Sequence, residues 1–567
     1  MLPTVIRPQN HALAQQFVKE GNLPPVLAQC LASRGVQSTE IALLRHKLLP
    51  YKHLRGIKEL AQGLAHAIIN KEKMVVVADY DCDGATACAI AVSGLEALGA
   101  IVDFVVPDRL VHGYGLTPSV VDVAKEKNPK HIVTVDNGIA SIEGVHYAES
   151  QGIKVWVTDH HLPGATLPNA SGIVNPNQPF CSFPSKNLAG CGVMFYVLAA
   201  TNKALKDLGV QTDIILDDWL DLVSLGTVAD VVKLDDNNRW LVNQGLIRIR
   251  QGFMRPGLHA LFDISNKNFE RATSGDFGFA LGPRLNAAGR LSDMSIGIKC
   301  LLAQSYEEGY ELAKELCVLN EDRKDLENQM KEYAWNVLDL ENQSSRFTRV
   351  VFGQDFHEGV IGIVAGRIKE KEFAPTIVFA QANNDPGVWK GSGRSIPGLH
   401  LRDALDLIYK KHPNWFLKFG GHAMAAGLGI TDEARPLFAQ AFEDVVKELL
   451  DNKKPQQELL VDGPLDPTHI TIETAKALQE FVWGQGFEEP TWVGEFEVKE
   501  VVMMGREKNH LKMVVSPLGS DKKFCAMHFF QEEDSAPTEG QVIQMAYRLQ
   551  CSVFRDEEKL DLIVVDR

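Results

Sequence analysis

The sequence predicts a multidomain α/β protein, and three observations along the chain support this fold class. Its 567 residues exceed what a single hydrophobic core usually organises. Between residues 73 and 159, short apolar runs rich in β-branched side chains alternate with segments of helical pattern, as in a parallel sheet covered by helices. Farther along, a heptad pattern predicts one long helix, and the C-terminal part reads as the short alternating strands of a small β-barrel.

Changes in these patterns give the boundaries of the predicted domains. Apolar residues at heptad spacing from Leu312 to Leu340 predict a connecting helix, which is favoured over a coiled-coil dimer although Arg323 interrupts a second apolar row. The lysines and proline of residues 451–457 mark a further boundary. The prediction is an N-terminal helical segment (1–50), a parallel-sheet domain (51–304), the connecting helix (305–345), a second, smaller α/β domain (346–452) and a C-terminal barrel (453–567).

Composition argues against several classes of protein. The chain has no apolar run of about 18 residues that could span a bilayer and no export signal at its N-terminus. We therefore expect a cytoplasmic protein that does not bind a membrane. Its nine cysteines include no CxxC pair, which favours reduced thiols over disulfides or a zinc site. No GxxxxGK[ST] loop is present to bind a nucleoside triphosphate. The net charge of −15 argues against a chain that coats nucleic acid, although a groove can still be basic.

Three aspartates follow the first predicted strand at alternate positions, Asp79, Asp81 and Asp83. A calcium loop of the EF-hand type would need a glutamate at its twelfth position, which here is Ile90. Capping of the next helix would explain one of the aspartates but not all three. A divalent-metal site is favoured, because a cation offsets the repulsion between close carboxylates.

Other strand ends supply further ligands for the same site. Each of the four predicted strands ends in aspartate; the runs are 74–79, 100–108, 131–136 and 154–159. Asp136 ends the third run, and Asp159, His160 and His161 follow the fourth. Ligands bind outside the carboxyl ends of parallel strands, so these groups should converge. Mixed oxygen and nitrogen ligands suit Mn²⁺ or Mg²⁺, and two such ions commonly promote phosphoester hydrolysis.

At these residues the sequence resembles a known superfamily. The stretches DYDCDGATA, VDNGI, TDHH and SLGTVADVV resemble, in order, the four motifs of the DHH phosphoesterase superfamily. The stretches LGPRLNAAGRL (281–291), SGRSI (392–396) and GGHAMAAG (420–427) resemble its RecJ family of single-strand-specific 5′ exonucleases. The resemblance covers residues 50 to 567 and is specific as a set. It implies a DHH phosphoesterase domain, a DHH-associated domain after the connecting helix, and an oligonucleotide-binding (OB) barrel.

The resemblance also implies roles for the acidic and imidazole residues. The implied ligands are Asp79 and Asp81 for one ion, Asp83, His160 and Asp230 for a second, and Asp136 between the two. Asp221 is the alternative to Asp230. Smaller relatives begin the first motif with a histidine, but Val77 stands there and Asp79 is expected to take its place. His161 is expected near the scissile phosphate, so that the implied catalytic residues are Asp136, Asp159 and His161.

A second set of residues is implied to bind the nucleic acid. Ser392, Arg394, Gly421 and His422 are expected to form a pocket for the 5′ phosphate. The path from that pocket to the metals is expected to be lined by Arg109, Tyr114, Arg284, Asn286 and Arg290. Structural salt bridges for the arginines, and close packing for the glycines, are the alternatives.

The predicted function is metal-dependent 5′ to 3′ degradation of single-stranded DNA to mononucleotides. The resemblance implies roles in recombination, mismatch repair and fork processing, with single-strand-binding protein and a helicase as partners. A monomer is expected. One alternative is a phosphoesterase for short oligonucleotides or cyclic dinucleotides, which would need no third domain. Another is a non-catalytic scaffold, which would be expected to lose ligands that this chain retains.

Overall fold

The computed structural model describes residues 1–567 except 109–111, 341–345, 384, 506–508, 532 and 555–556. These described residues form two compact units, Met1–Cys317 with Glu458–Arg567, and Val318–Gln457. In the described part of the chain, no helix is long and apolar enough to cross a membrane.

The N-terminal segment packs against the beginning of the C-terminal domain. Its elements are β1 (Thr4–Ile6), α1 (His11–Gly21), α2 (Pro25–Ser33) and α3 (Thr39–Ala42). β1 pairs in parallel with residues 459–461. Arg34 makes a buried ion pair with Asp462, at 2.6 Å between Nη1 and Oδ1. The sequence predicted the helices but not this partner, which lies more than 400 residues away.

The first domain is built on a five-stranded parallel sheet. Its strands are β2 (Lys73–Ala78), β3 (Ile101–Val105), β4 (His131–Val135), β5 (Lys154–Thr158) and β6 (Gly172–Val174). They lie in the order β3-β2-β4-β5-β6, and every pair is parallel. The chain therefore leaves β2 toward one edge and returns to its other side at β4. This reversal opens a crevice at the carboxyl ends of β2 and β4, the usual ligand position in such sheets.

Helices cover this sheet and continue beyond it. They are α4 (Ile57–Ile69), α5 (Cys82–Ala97), α6 (Pro118–Lys125), α7 (Ile142–Ser150), α8 (Gly190–Asp207), α9 (Leu220–Ala229), α10 (Asp236–Arg250), α11 (Pro256–Ile264), α12 (Ser274–Asp276), α13 (Gly282–Leu291), α14 (Ser295–Leu302) and α15 (Tyr306–Leu340). A π-helical turn at Phe277–Leu281 joins α12 to α13. α5 is buried on almost all sides, which explains why its sequence is apolar without a clear polar face. α15 is the predicted long helix.

The second unit contains a mixed five-stranded sheet, three helices that follow α15 along the chain, and the C-terminal part of α15. The strands are β7 (Arg349–Gly353), β8 (Thr376–Ala382), β9 (Asp385–Arg394), β10 (Phe416–Gly421) and β11 (Ala425–Thr431); the helices are α16 (Ile361–Glu372), α17 (Leu401–Lys411) and α18 (Arg435–Leu449). The strand order is β10-β11-β9-β8-β7. Arg323, the charged interruption in the heptad pattern of α15, is buried and contacts Glu327 at 2.6 Å. Glu327 also pairs with Arg367 of α16, so this interruption joins two helices of the unit.

The C-terminal region forms a closed five-stranded barrel. Its elements are β12 (Leu459–Val461), α19 (Ile472–Gln479), β13 (Trp492–Met504), β14 (His510–Pro517), β15 (Phe524–Phe529), β16 (Val542–Phe554) and β17 (Glu557–Asp566). The barrel order is β13-β14-β15-β17-β16, with β15 and β17 parallel. This is the strand order of an OB-fold. The small barrel of short strands that the sequence predicted for this region is confirmed.

Candidate metal centre

The three aspartates after β2 lie on the turn that leads into α5. Asp81 caps α5, and its Oδ1 accepts a hydrogen bond from the Gly84 backbone N–H at 3.0 Å. A Cβ atom at Gly84 would lie only 2.5 Å from the Asp79 carbonyl oxygen, so the turn can close only around glycine. One aspartate therefore does cap the helix, as the structural alternative required. Asp79 and Asp83 are buried beside it.

The start of α8 binds Asp83 and closely approaches a further carboxylate, that of Asp136. Asp83 is fully buried, and its two oxygens accept hydrogen bonds from the backbone N–H groups of Gly190 at 2.6 Å and Cys191 at 2.9 Å. A carboxylate at a helix N-terminus is also favoured by the helix dipole. A Cβ atom at Gly190 would lie 2.6 Å from the side chain of Asp136, so glycine permits the close approach.

Asp136 follows β4 in a backbone conformation that few non-glycine residues adopt, with φ at +62°. Its N–H donates to the carbonyl oxygen of Thr158 at the end of β5, which fixes this conformation. Non-glycine residues in this region are rare and cluster at functional sites.

Asp159 holds the two histidines that follow β5. Its Oδ1 accepts from the backbone N–H groups of His160 and His161, and its Oδ2 accepts from the N–H of Ile139. The same Oδ1 lies 2.8 Å from Nδ1 of His161. Asp159 also belongs to none of the groups of possible metal ligands among the described residues, which supports a positioning role rather than a role as a ligand.

The predicted ligand atoms converge in the crevice between β2 and β4. Nε2 of His160 lies 3.1 Å from Asp136, 3.5 Å from Asp230 and 3.9 Å from Asp83. Among the described residues, three groups could each hold an ion, with ligand atoms within 4.8 Å of one another: Asp79, Asp81 and Asp136; Asp83, His160 and Asp230; and Asp136, His160 and His161. The first two groups correspond to the two ions that the resemblance implied, with Asp136 near both.

The electrostatics of this cluster fit divalent cations. Among the described residues, Oδ1 of Asp136 and Nε2 of His160 are buried and lie 3.1 Å from each other, yet neither makes a hydrogen bond, a costly state that a bound ion would relieve. Burial, and then the neighbouring carboxylates, raise the pKa values of Asp79, Asp81, Asp136 and Asp230. Burial also lowers the pKa of His160, which keeps its imidazole in the neutral form that binds metal.

The structure distinguishes Asp230 from Asp221, the two candidate metal ligands of the fourth motif. Asp230 directly follows α9 and belongs to one of the three groups. Asp221 lies in the first turn of α9, where it accepts from the N–H groups of Leu222 and Arg255. Asp221 belongs to none of the groups found among the described residues. The geometry therefore supports Asp230 as the ligand and gives Asp221 a structural role.

His161 lies at the open side of the cluster beside Tyr114. The Tyr114 hydroxyl is 3.3 Å from the His161 ring nitrogens and donates to the carbonyl oxygen of Asp136 at 3.4 Å. Burial opposes a charge on His161, but its hydrogen bond to Asp159 and the nearby carboxylates raise its pKa to about 9. His161 is therefore placed to present a positive ring to an anionic substrate.

Residues of α13 predicted to contact DNA also support the aspartate turn. Oδ1 of Asn286 accepts from the N–H of Cys82 at 2.8 Å, and a Cβ atom at Gly289 would clash with the Tyr80 carbonyl oxygen at 1.8 Å. Arg284 donates from Nη1 to the Ala280 carbonyl oxygen, whereas its buried Nε has no partner among the described residues. Half-buried Arg290 lies in the last turn of the same helix; Arg109 is outside the described residues.

Two residues that the sequence analysis missed connect the loops of this centre. Asp235 caps α10, and its Oδ2 accepts from Ser185 Oγ at 2.7 Å and Asn187 Nδ2 at 3.1 Å. Nδ2 of Asn238 donates to the carbonyl oxygens of Asn187 and Lys233 at 2.6 and 3.0 Å. The Asp235–Asn238 pair thus joins the loop before α8 to the turn after Asp230. The first residues of α8 are those that bind Asp83. The helix-cap pattern was the available sequence signal.

The C-terminal domain also contacts this turn. The N–H of Leu234 donates to the carbonyl oxygen of Gln485 at 2.8 Å. A Cβ atom at Gly484 would lie 2.7 Å from the Leu234 side chain, and Arg239 stacks over the ring of Phe487 at 4.0 Å. The segment that precedes the barrel is therefore packed against the chain just after Asp230.

The four residues predicted to form a phosphate pocket lie together in the second unit. They are Ser392 and Arg394 on β9, Gly421 at the end of β10, and His422. On the intervening strand β11, Ala426 pairs with both Gly393 and Gly421. Arg394 Nη1 donates to Ser392 Oγ at 3.1 Å, and a Cβ atom at Gly362 would approach both side chains to 2.9 Å. Gly362 lies in the first turn of α16, and a helix N-terminus beside an arginine suits an anion.

Comparison with known proteins agrees with this architecture. Three family models match successive parts of the chain: the DHH family, N-terminal domain (residues 73–227), the DHHA1 domain (345–448) and the RecJ OB domain (461–566). The single-stranded-DNA-specific exonuclease RecJ of Escherichia coli K12 is 44% identical over 555 residues, covering 96% of this chain and 95% of the relative. The chain belongs to the RecJ family. A second relative, the single-stranded-DNA-specific exonuclease RecJ of Bacillus subtilis, is 34% identical over 512 residues, covering 88% of this chain and 62% of the relative.

Solved RecJ structures share the fold. RecJ of Thermus thermophilus in complex with Mn²⁺ matches with a TM-score of 0.82 and 27% identity, covering 100% of this chain and 78% of that one. The complex with Mg²⁺ matches with a TM-score of 0.76 and 26% identity, covering 100% and 77%. The predicted fold class of a DHH domain, a DHH-associated domain and an OB barrel is confirmed. The metals bound by these RecJ proteins are the two that the ligand set here predicts.

We predict that Mn²⁺ stabilises this protein more at about pH 8 than at about pH 5.5. The raised pKa values mean that the folded, metal-free cluster retains protons that the unfolded chain, with carboxyl pKa values near 3.8, has released. The stability from this protonation is present below the unfolded pKa and falls as the pH rises through the folded pKa. A bound cation should offset the repulsion among the deprotonated carboxylates, so its stabilising effect should be larger at the higher pH.

The measurement is the melting temperature with Mn²⁺ or with EDTA at both pH values. Asp136→Asn should lose most of the Mn²⁺-dependent shift, and Asp122→Asn, at an exposed carboxylate of α6, should keep it. An equal shift in Asp136→Asn and the unaltered protein would contradict the assignment of the site.

We also predict that Asn238→Ala weakens Mn²⁺ binding by about tenfold, because partners that orient ligands typically change metal affinity by about 10- to 100-fold. Titration calorimetry on the folded, metal-free protein measures this directly. Gln251→Ala, at an exposed position just beyond α10, is the matched control. Unchanged affinity in Asn238→Ala would show that the Asp235–Asn238 pair serves stability alone.

Proposed function

We propose that this protein is a metal-dependent exonuclease that removes mononucleotides from the 5′ end of single-stranded DNA. The observation that carries the proposal is the convergence of six predicted ligands in one crevice, where the buried atoms Asp136 Oδ1 and His160 Nε2 lie 3.1 Å apart and, among the described residues, make no hydrogen bond. The RecJ relatives are named as single-stranded-DNA-specific exonucleases. The matched RecJ OB domain favours a long single strand over the alternative of short oligonucleotides or cyclic dinucleotides.

The ligand sets follow the observed groups. Asp79 and Asp81 would hold one cation, Asp83, His160 and Asp230 a second, and Asp136 would contribute to both. When bound, a pair of such ions supplies an activated water and stabilises the leaving oxygen in phosphodiester hydrolysis. The backbone N–H groups of Gly190 and Cys191 hold both oxygens of Asp83 in the orientation that this task requires.

His161 is the side chain proposed to contact the reacting phosphate. Its Nδ1 is engaged with Asp159, so its other ring nitrogen can donate to a nonbridging phosphate oxygen. Tyr114 lies within 3.3 Å and limits the movement of the ring. A donor held in this way costs no reorganisation when negative charge develops in the transition state. Asp159 acts as a positioning residue for both histidines.

Recognition of the strand is proposed to use the remaining predicted residues. Ser392, Arg394, Gly421 and His422 would bind the 5′ phosphate through the arginine, the serine hydroxyl and nearby backbone N–H groups. The strand near the metal centre would be contacted by Tyr114, Arg284, Asn286 and Arg290. Arg109, which lies outside the described residues, is proposed for the same role on the sequence alone. The observed bond from Cys82 to Asn286 gives that residue a second, structural task.

The cellular setting is part of the same proposal. A monomer in the cytoplasm would act in recombination, mismatch repair and fork processing, with single-strand-binding protein and a helicase as partners. The name of the RecJ relative, a single-stranded-DNA-specific exonuclease, supports a role in DNA processing.

The direction of digestion tests the proposal. With Mn²⁺ present, a 5′-labelled single strand should release labelled mononucleotide at once, whereas a 3′-labelled strand should shorten progressively. Asp136→Ala should lower the rate by more than about 100-fold, since even residues that only orient metal ligands change activity by about 10- to 100-fold, and Asp122→Asn should leave it unchanged. Release from the 3′ end first would reverse the polarity, and faster cleavage of a cyclic dinucleotide would favour the alternative.

The proposed phosphate pocket predicts a preference for a 5′-phosphorylated strand over a 5′-hydroxyl strand. Arg394→Ala should reduce this preference by about tenfold or more, because a charge-assisted hydrogen bond is removed. Arg402→Ala, at an exposed arginine of α17 in the same unit, should retain it. The readout is the ratio of kcat/KM for the two strands, and an unchanged ratio in Arg394→Ala would refute the pocket.

A further inference from the structure

Asn137 is a buried asparagine that directly follows Asp136 and is not among the predicted site residues. Its side chain is 1% exposed. Nδ2 donates to the carbonyl oxygen of Val135 at 2.9 Å and to that of Val77 at 3.0 Å. Val135 ends β4, and Val77 lies one residue before the end of β2. A single amide group therefore joins the carboxyl ends of two neighbouring strands.

This amide is used for its donors. Oδ1 of Asn137 is buried and has no hydrogen-bond partner among the described residues. A buried acceptor without a partner costs free energy. An apolar side chain would avoid that cost but could not bind the two carbonyl oxygens, which indicates that the position requires the bridge between the strands.

The backbone of the same turn is fixed by the strand before it. Thr134 Oγ1 donates to the Asn137 carbonyl oxygen at 2.7 Å. Gly138 follows with φ at +111°, and a Cβ atom there would lie 2.4 Å from Thr134 Oγ1, so the chain can close on this hydroxyl only at glycine. The position of the Asn137 side chain is therefore set by the turn as well as by its own two hydrogen bonds.

Two ligands of one possible ion follow the strand ends that the amide joins. Asp79 lies two residues after the β2 carbonyl that Asn137 binds, and Asp136 directly follows β4. Together with Asp81 they form one of the three groups that could hold an ion, which we call the first group. The distance between Asp79 and Asp136 thus depends on how closely the ends of β2 and β4 are held together.

The second group, which consists of Asp83, His160 and Asp230, is held by other elements. The start of α8 binds Asp83, His160 follows β5, and Asp230 follows α9. If Asp136 moved, the second group would keep all three of its members. The first group would keep only two, so it should be the more sensitive to the bridge.

We propose that Asn137 is a positioning residue that sets the distance between Asp79 and Asp136 and so determines the affinity of the first group for its ion. The inference rests on the proposed function, from which it takes the two-ion centre. Loss of the bridge should weaken the ion of the first group and spare the ion of the second.

Calorimetric titration of the folded, metal-free protein with Mn²⁺ tests this selectivity. The unaltered protein should bind two ions. Asn137→Ala should retain one affinity and weaken the other by about 10- to 100-fold, as the loss of a partner that orients ligands typically does. Thr134→Val is the second variant, because it keeps the shape of the side chain and removes the donor to the Asn137 carbonyl oxygen. It should weaken the same ion to a smaller extent.

Asn202→Ala is the matched control for the loss of a buried asparagine. Asn202 lies in α8 and accepts a hydrogen bond from the Thr212 hydroxyl. The control should lower the melting temperature, as Asn137→Ala should, but retain both Mn²⁺ affinities. Electron paramagnetic resonance at two equivalents of Mn²⁺ should show a coupled pair of ions in the unaltered protein and in the control, and mainly isolated ions in Asn137→Ala.

Two unchanged affinities in folded Asn137→Ala would overturn the proposal. So would an equal loss of both affinities, or a single bound ion in the unaltered protein. If Asn137→Ala does not fold, the same criteria applied to Thr134→Val decide. If the selective loss is found but the unaltered protein does not digest a single strand from its 5′ end, the positioning role is supported and the nuclease proposal fails.

Discussion

Repulsion among carboxylates in one buried crevice is the constraint on which the first domain depends. Asp79, Asp81, Asp83, Asp136 and Asp230 occupy the space where the order of the parallel strands reverses. The fold offsets part of the repulsion with backbone N–H groups, above all those at the start of α8 that hold Asp83. The remainder is left for cations. This explains why glycines border the cluster, since Gly84 and Gly190 let backbone and helix approach the carboxylates closely.

The parts of the site that the sequence predicted are those governed by local rules. Asp79, Asp136 and His160 follow apolar strands, and parallel strands end at one edge of their sheet, so their convergence could be inferred. The choice between Asp221 and Asp230 could not be made from the residues themselves, because both lie at the ends of the same apolar helix. The hydrogen bond that Asp221 accepts from the backbone N–H of Arg255 distinguishes them only in the folded chain.

The parts that the sequence did not predict depend on distant partners or very short elements. Asp235 and Asn238 reach side chains and carbonyl groups about 50 residues earlier, and no pattern within one helix indicates such contacts. β6 has only three residues, too few for a period to be recognised. Arg323 interrupts an apolar row in the sequence, but its burial against Glu327 shows that a charged pair can occupy a core position when both partners are present.

The contact between Leu234 and Gln485 has a consequence for how this enzyme can evolve. Leu234, four residues after Asp230, donates a hydrogen bond to Gln485 in the segment that precedes the barrel. Gly484 of the same segment packs against the Leu234 side chain. Losing the segment that precedes the barrel would therefore uncover the backbone at Leu234, four residues after Asp230. Genetic recombination that replaced the C-terminal domain would have to preserve this contact. The first domain and the C-terminal domain are therefore expected to be inherited together.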